Sequence, residues 1–352
     1  MIDVAVVAFA QTPMLRRAGQ LNEVELVMPV VSQALSRAGL TIADIGFTCS
    51  GSSDYLAGVP FSFVGALDAV GAWPPIEESH VETDGAFALF EAWVRLQEGD
   101  IDTALVYAFG KSSSGPLREL LSLQLDPYVL GPLWPDSVSL AALQARSALD
   151  AGRFTEADMA RVAARSRRDA LGNPFAQIKR DDDPGVLLDE PYLVAPLRRH
   201  DCPPITDGAV AIVLASGAAA SSASARPAFI RGIDHRIEPH ELGARDLTVS
   251  VSTAEAARHA GVADGPVDVA ELHAPFSHQE LILRAALGLG ADVVVNPSGG
   301  ALAANPMMAA GLVRIGEAAS RIWSGAASRV VAHATSGPCL QQNLVCVLEA
   351  GW

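Results

Sequence analysis

The chain has 352 residues, half of them hydrophobic, with a mean hydropathy of +0.26 and a formal net charge of −15. That supplies apolar surface for two domains or for one large duplicated domain. The negative charge excludes a nucleic-acid backbone or an anionic membrane surface as the main partner, because both would repel it, while leaving room for a local phosphate-binding patch. No apolar run reaches the ~18 residues a membrane-spanning helix needs. The N-terminus, Met1-Ile-Asp-Val-Ala-Val-Val, lacks the charged start and cleavage region of a signal peptide. Cys49, Cys202, Cys339 and Cys346 lie far apart without metal-type spacing. The expectation is a cytoplasmic protein with free thiols and no metal.

In chain order, the apolar run Val4–Phe9 predicts a strand, and Val24, Val27, Val31, Leu35 and Ala38 recur at helical spacing. Ile45 to Cys49 predicts a second strand, so the order is α/β. Ala86–Leu96 is apolar nearly all round, which predicts a helix buried between layers. A unit then repeats. In the first half a helix, Glu98-Gly99, the strand Thr103–Gly110 and Ser114-Gly115 follow one another; in the second, a helix, Ser324-Gly325, the strand Ser328–Ala334 and Ser336-Gly337 do the same. Each unit leads to a last strand, Ala209–Leu214 or Leu344–Leu348. In the first half roughly ninety residues intervene, far beyond an ordinary connection. Residues of about 112–205 are therefore read as an inserted subdomain, with helices near 138–150 and 155–171 and a polar, turn-rich run at Lys179–Gly185. The small-residue stretch Ala215–Pro227 is read as a weak helix and joint. The halves are then 1–225 and 226–352.

Two stretches near the C-terminus carry chemistry: Glu271-Leu-His273-Ala-Pro-Phe276, and Asn296-Pro-Ser-Gly299-Gly300 followed by Ala304-Asn305-Pro306. Arg198–Asp201 and Pro204–Ala209 lead into the last strand of the first half. With the internal repeat, these segments resemble the catalytic loops of the thiolase superfamily over essentially the whole chain. The nearest likeness is to the branch related to sterol carrier protein 2, in which actinobacterial lipid-transfer proteins lack the nucleophilic cysteine and act as steroid aldolases. The resemblance implies an α/β thiolase-like fold: two βαβαββ halves in a five-layer αβαβα arrangement, with the insertion covering the substrate. It also implies an acyl-CoA thioester as substrate, with no separate cofactor.

Thiolases that form an acyl-enzyme place a cysteine at the N-terminus of the first buried helix, where the helix dipole favours the thiolate. Here that segment reads His80-Val-Glu-Thr-Asp84-Gly-Ala-Phe87. Asp84 is either a base or orienting carboxylate in the pocket, or the helix N-cap. In the family's Gly-His-Pro motif a histidine activates the cysteine; here it is Asn305, which donates a hydrogen bond but takes no proton at neutral pH. Asn305 with Pro306 also suits the N-cap and first turn of the second buried helix. His273 stands where relatives place a donor for the thioester enolate, a role worth about 3 kcal/mol. His278 is read as lying on the following helix, in a solvent-facing or structural role, and Cys49 as a small buried residue.

Gly299 and Gly300 are read as allowing close backbone approach to substrate or to the facing half. Counting back from the last strand puts Gly337 at the position of the family's second catalytic cysteine, with Cys339 as a candidate pocket-lining residue. Tyr55 and Ser114 are polar groups at strand ends and candidate pocket members; Tyr55 is also the candidate base, since tyrosines serve so in relatives. Gly110-Lys111-Ser112 is not a nucleotide loop, because Leu105 stands where glycine is needed, and Gly288-Leu-Gly290 is followed by Val293 at the third glycine. Three functions follow from the resemblance: a retro-aldolase on β-hydroxy acyl-CoA thioesters, an acyltransferase, or a non-catalytic subunit. Such folds pair through their central sheets, so a homodimer is expected, or a heteromer with a second thiolase-like subunit or an OB-fold (DUF35-type) acyl-CoA-binding protein.

Overall fold

The computed structural model describes residues 2–351. Twelve strands occur in chain order: β1 Val4–Gln11, β2 Phe47–Gly51, β3 Glu78–Val81, β4 Thr103–Gly110, β5 Tyr192–Val194, β6 Leu197–Arg198, β7 Gly208–Ser216, β8 Ala228–Ile237, β9 Val269–Leu272, β10 Val294–Val295, β11 Arg329–Ser336 and β12 Gln342–Ala350. β5 and β6 form a separate hairpin. The other ten hydrogen-bond in the order β10-β9-β11-β12-β8-β1-β7-β4-β2-β3.

The duplication is explicit in that order. Counted within its own half, each set of five strands runs third, second, fourth, fifth, first. The halves join where β1 meets β8 antiparallel, through Ala5↔Phe229 and Val6↔Ala228. Each half adds one strand to the βαβαββ unit read from the sequence. The additions, β3 and β10, are short edge strands, and β10 has only two residues. Neither carries an apolar run long enough to stand out.

The layers follow from strand alternation. Val6, Phe9, Val106, Ile212, Val330, Ala332 and Cys346 point inward onto the helices Gly85–Leu96 and Ala310–Trp323, and all belong to one continuous core. The alternate residues Ala5, Val7, Leu105 and Val213 pack outward on the helix Glu23–Ala38. In the second half Ala270, Val331 and Val345 pack outward on Val251–His259 and Ser277–Ala286. Two helices thus lie between two sheet halves, each covered by an outer helix layer. β1 and β7 are buried along their whole length because both faces are covered.

Local chemistry sets the helix ends. Asn22 and Glu25 form a capping box before Glu23–Ala38, and Gly39 closes that helix at φ 68°. Between β4 and β7 lie the helices Ser137–Asp150, capped by Asp136, and Glu156–Asp169, capped by Thr155 with Asp158. This segment docks on the second half: Arg165 reaches both oxygens of Glu280 at 2.5 and 2.6 Å. Ala215–Pro227 contains the short helix Gly217–Ala223. Among the described residues, no helix is long and apolar enough to cross a membrane.

Candidate active site

Strand ends and loops from both halves bring the family-like motifs together. Parallel β9 and β11 place His273 just past the sheet, where its backbone N–H donates to the His333 carbonyl at 3.1 Å. Asn296 fixes the neighbouring loop: its side-chain oxygen accepts the Leu272 N–H at 2.6 Å and its amide donates to Glu280 at 2.9 Å. Asn305 follows the one-turn helix Gly300–Ala303, and its backbone N–H donates to Thr206 Oγ1 at 2.9 Å. Thr206 also bridges to Pro306, so the first half anchors this loop.

The side chains of His273 and Asn305 meet directly, with Nε2 and Oδ1 3.0 Å apart. Each residue is 7% exposed. The Thr335 N–H points at the other ring nitrogen, Nδ1, at 3.4 Å. Burial pushes the His273 pKa below the ordinary histidine value, and the nearby Asp84 charge and the Asn305 bond offset part of that effect. The ring is therefore neutral at physiological pH.

Asp84 is buried at the joint of the two central helices. One carboxylate oxygen accepts N–H bonds from Ala86 at 2.9 Å and Leu312 at 3.1 Å; the other accepts from Gly311 at 2.9 Å. One side chain thus caps both buried helices, its own and that of the other half. Gly311 makes this possible, because a Cβ there would stand 2.5 Å from Asp84 Oδ1 and from the Ala334 methyl. The cap for the second helix expected from Asn305 and Pro306 is supplied instead by Asp84. That helix begins only at Ala310, after a turn in which Met308 has φ 68°, so Asn305 lies too far upstream to cap it.

Below this site runs a buried ionic network that was not legible in the motifs. Glu271, fully buried, accepts from Arg314 at 2.9 Å and from the Ser298 hydroxyl at 2.6 Å. Burial raises the Glu271 pKa, and Arg314 opposes that rise. Gln11 donates to Glu317 at 2.7 Å, tying β1 to the second central helix.

The remaining candidates lie elsewhere. Tyr55, on the one-turn helix Asp54–Ala57, is 53% exposed and makes no hydrogen bond among the described residues. Ser114 and Gly337 are exposed in loops after β4 and β11. Gly299 does approach another backbone closely, but its neighbour is the inserted segment: a Cβ would meet Ala170 at 2.7 Å, and Ser166 donates to its carbonyl. Gly300 packs against the Asn296 side chain, 2.9 Å from where its Cβ would be. Cys339 is buried among Leu125, Leu130, Leu140 and Leu242, where its thiol donates to the Leu140 carbonyl. It fills an apolar seam under the insertion. His278 is fully buried on the helix Ser277–Ala286 and bonded to Gln144, a structural role.

Burial pushes the thiols of Cys49, Cys202 and Cys339 up to about 12, and that of Cys346 further still. All four stay protonated at neutral pH. The geometry therefore offers neutral hydrogen-bond donors beside a helix-capping carboxylate and no thiolate.

No family model matches the chain. It is 26% identical to an acetyl-CoA acetyltransferase from Methanothermobacter thermautotrophicus, over 96% of this chain and 95% of that protein. Its fold matches a solved Ltp2-ChsH2(DUF35) aldolase with a TM-score of 0.81 at 19% identity, covering 99% of this chain and 98% of that one. It also matches the human mitochondrial 3-ketoacyl-CoA thiolase with a TM-score of 0.81 at 16% identity, covering 100% and 99%. The chain is thus similar to thiolase-type acyl-CoA enzymes along nearly its whole length and has the thiolase-like fold.

Proposed function

We propose that the protein is a C–C lyase that cleaves β-hydroxy acyl-CoA thioesters by retro-aldol chemistry, as in steroid or lipid side-chain degradation. The observation that carries this reading is the Asp84 carboxylate at the joined helix N-termini, where acyl transfer would need a thiol. An acyl-enzyme requires an attacking thiolate. A retro-aldol cleavage requires only a base and donors for an enolate.

In the reaction a base takes the β-hydroxyl proton and a carbonyl forms at Cβ. The Cα–Cβ bond breaks, and its electron pair moves into the thioester enolate. A proton returned to Cα gives the shortened acyl-CoA, and a ketone or aldehyde leaves. The His273–Asn305 pair serves the enolate oxygen. Tyr55 was the candidate base, but its exposure and lack of a partner give it no support, so the role is unassigned. The CoA thioester is substrate, and no further cofactor enters the scheme.

The name of the Ltp2 structure pairs that aldolase with a DUF35 component. An OB-fold partner of that kind, or a second thiolase-like subunit, is proposed here too. An acyltransferase is the competing chemistry, and a non-catalytic subunit the competing class. The test is a steady-state assay with a β-hydroxy steroid-CoA, using the chain with its co-purifying partner. Ketone release lost on Asn305→Leu supports the lyase. Release unaffected by substitutions at both Asn305 and His273 assigns the activity to the partner and removes the proposal.

A further inference from the structure

His273 and Asn305 share a single ring proton between them, and its position divides their roles. Thr335 points its N–H at Nδ1, so Nδ1 must present a lone pair; a proton there would set two donors against each other. The neutral ring then carries its proton on Nε2 and donates it to Asn305 Oδ1 at 3.0 Å. That contact turns the amide so that Nδ2 faces away from the ring. Among the described residues Nδ2 has no hydrogen-bond partner, and it is not one of the sealed, unsatisfied atoms of the interior. The main chain beneath it is pinned by Thr206.

We infer that Asn305 Nδ2 is the donor presented to a ligand oxygen, and that His273 is a positioning residue whose ring proton is spent in aiming that amide. The inference deepens the acyl-CoA reading above: the ligand oxygen is that of a thioester or its enolate. It reverses the simpler expectation in which His273 itself touches the oxygen. His273 contributes orientation, and the donor is a group that does not titrate.

Two measurements test this on the full-length chain. In a ¹⁵N-labelled sample, long-range ¹H–¹⁵N correlations of His273, assigned with His273→Gln, should show Nε2 protonated and Nδ1 bare at neutral pH. A proton on Nδ1, alone or with one on Nε2, overturns the inference whatever the function. The second measurement uses acetoacetyl-CoA, whose enolate absorbs in the near ultraviolet and is enriched by a site that donates to its oxygen. The enolate signal should fall about tenfold or more in Asn305→Leu and His273→Leu, and survive in His273→Gln, whose amide nitrogen can occupy the place of Nε2. Should His273→Leu fail to fold, the Gln variant and the nitrogen spectrum still decide. An unchanged signal in Asn305→Leu overturns the donor assignment while leaving the acyl-CoA reading intact. Wild-type chain with the expected tautomer but no calorimetric binding of acetoacetyl-CoA overturns both.

Discussion

Asp84 accepts a hydrogen bond from Gly311, 227 residues away, while capping its own helix through Ala86. The two buried helices thereby share one anion at their positive ends, and that cap locks the halves of the duplicated fold together.

Replacing Asp84 by alanine strands three buried backbone N–H groups at once. A lost cap costs about 1 kcal/mol, and bonds to a charged acceptor about 1.5–3 kcal/mol each. Denaturant unfolding of Asp84→Ala is expected to show a loss of about 3 kcal/mol or more, partly restored by formate, which can enter the vacated space. A loss below about 1 kcal/mol would mean that the shared cap is not the joint described here.

Glu271 and Arg314 form an ion pair whose partners are each almost completely buried. Removing one charge from such a pair costs about 3–5 kcal/mol, because the other is left without compensation. Glu271→Gln should therefore unfold at markedly lower denaturant. The double variant Glu271→Leu with Arg314→Met should recover most of the loss. Additive losses in the double variant would contradict the pairing.

His333 is fully buried and bonded through Nε2 to Asn343 Oδ1 at 3.0 Å, and burial pulls its pKa down to about 3. The folded state thus holds it neutral, whereas the unfolded chain protonates it near pH 6.5. Its contribution is fully present above that pH and is lost as the pH falls from about 6.5 towards 3, at about 1.4 kcal/mol per pH unit. His278, also pulled down to about 3, behaves alike. His333→Gln keeps the bond to Asn343 without titrating, so stability measured from pH 6.5 to 4 should fall less steeply by that amount. Parallel slopes for variant and wild type would refute the assignment.

The central layers were legible because their residues repeat at the period of the element they form. Val24, Val27, Val31 and Leu35 mark one face of Glu23–Ala38, and Ala86–Leu96 is apolar nearly all round because most of it is buried, leaving Glu91 and Val94 exposed. The edge strands β3 and β10 escaped because an edge needs little apolar pattern. The motifs singled out His273 and Asn305 one by one, but not their contact. The anchors Thr206 and Thr335 were not singled out, since their contacts are to backbone and ring atoms that no spacing encodes. Asn305 looked like a helix cap because Asn-Pro commonly opens helices; an added turn through Met308 moved the helix start to Ala310, and a carboxylate from the other half took the cap. Cys339 looked like a pocket residue from its place after β11, but the left-handed backbone at Cys339 and Leu340, at φ 55° and 58°, folds that loop under the insertion.

The measurement that bears most directly on the account is intact-mass spectrometry of the chain during turnover of a β-hydroxy acyl-CoA. The expected result is accumulation of the carbonyl product and shortened acyl-CoA with the protein mass unchanged throughout, repeated in a variant with all four cysteines replaced. A transient increase equal to an acyl group, mapping to any cysteine and abolished with it, would contradict the account.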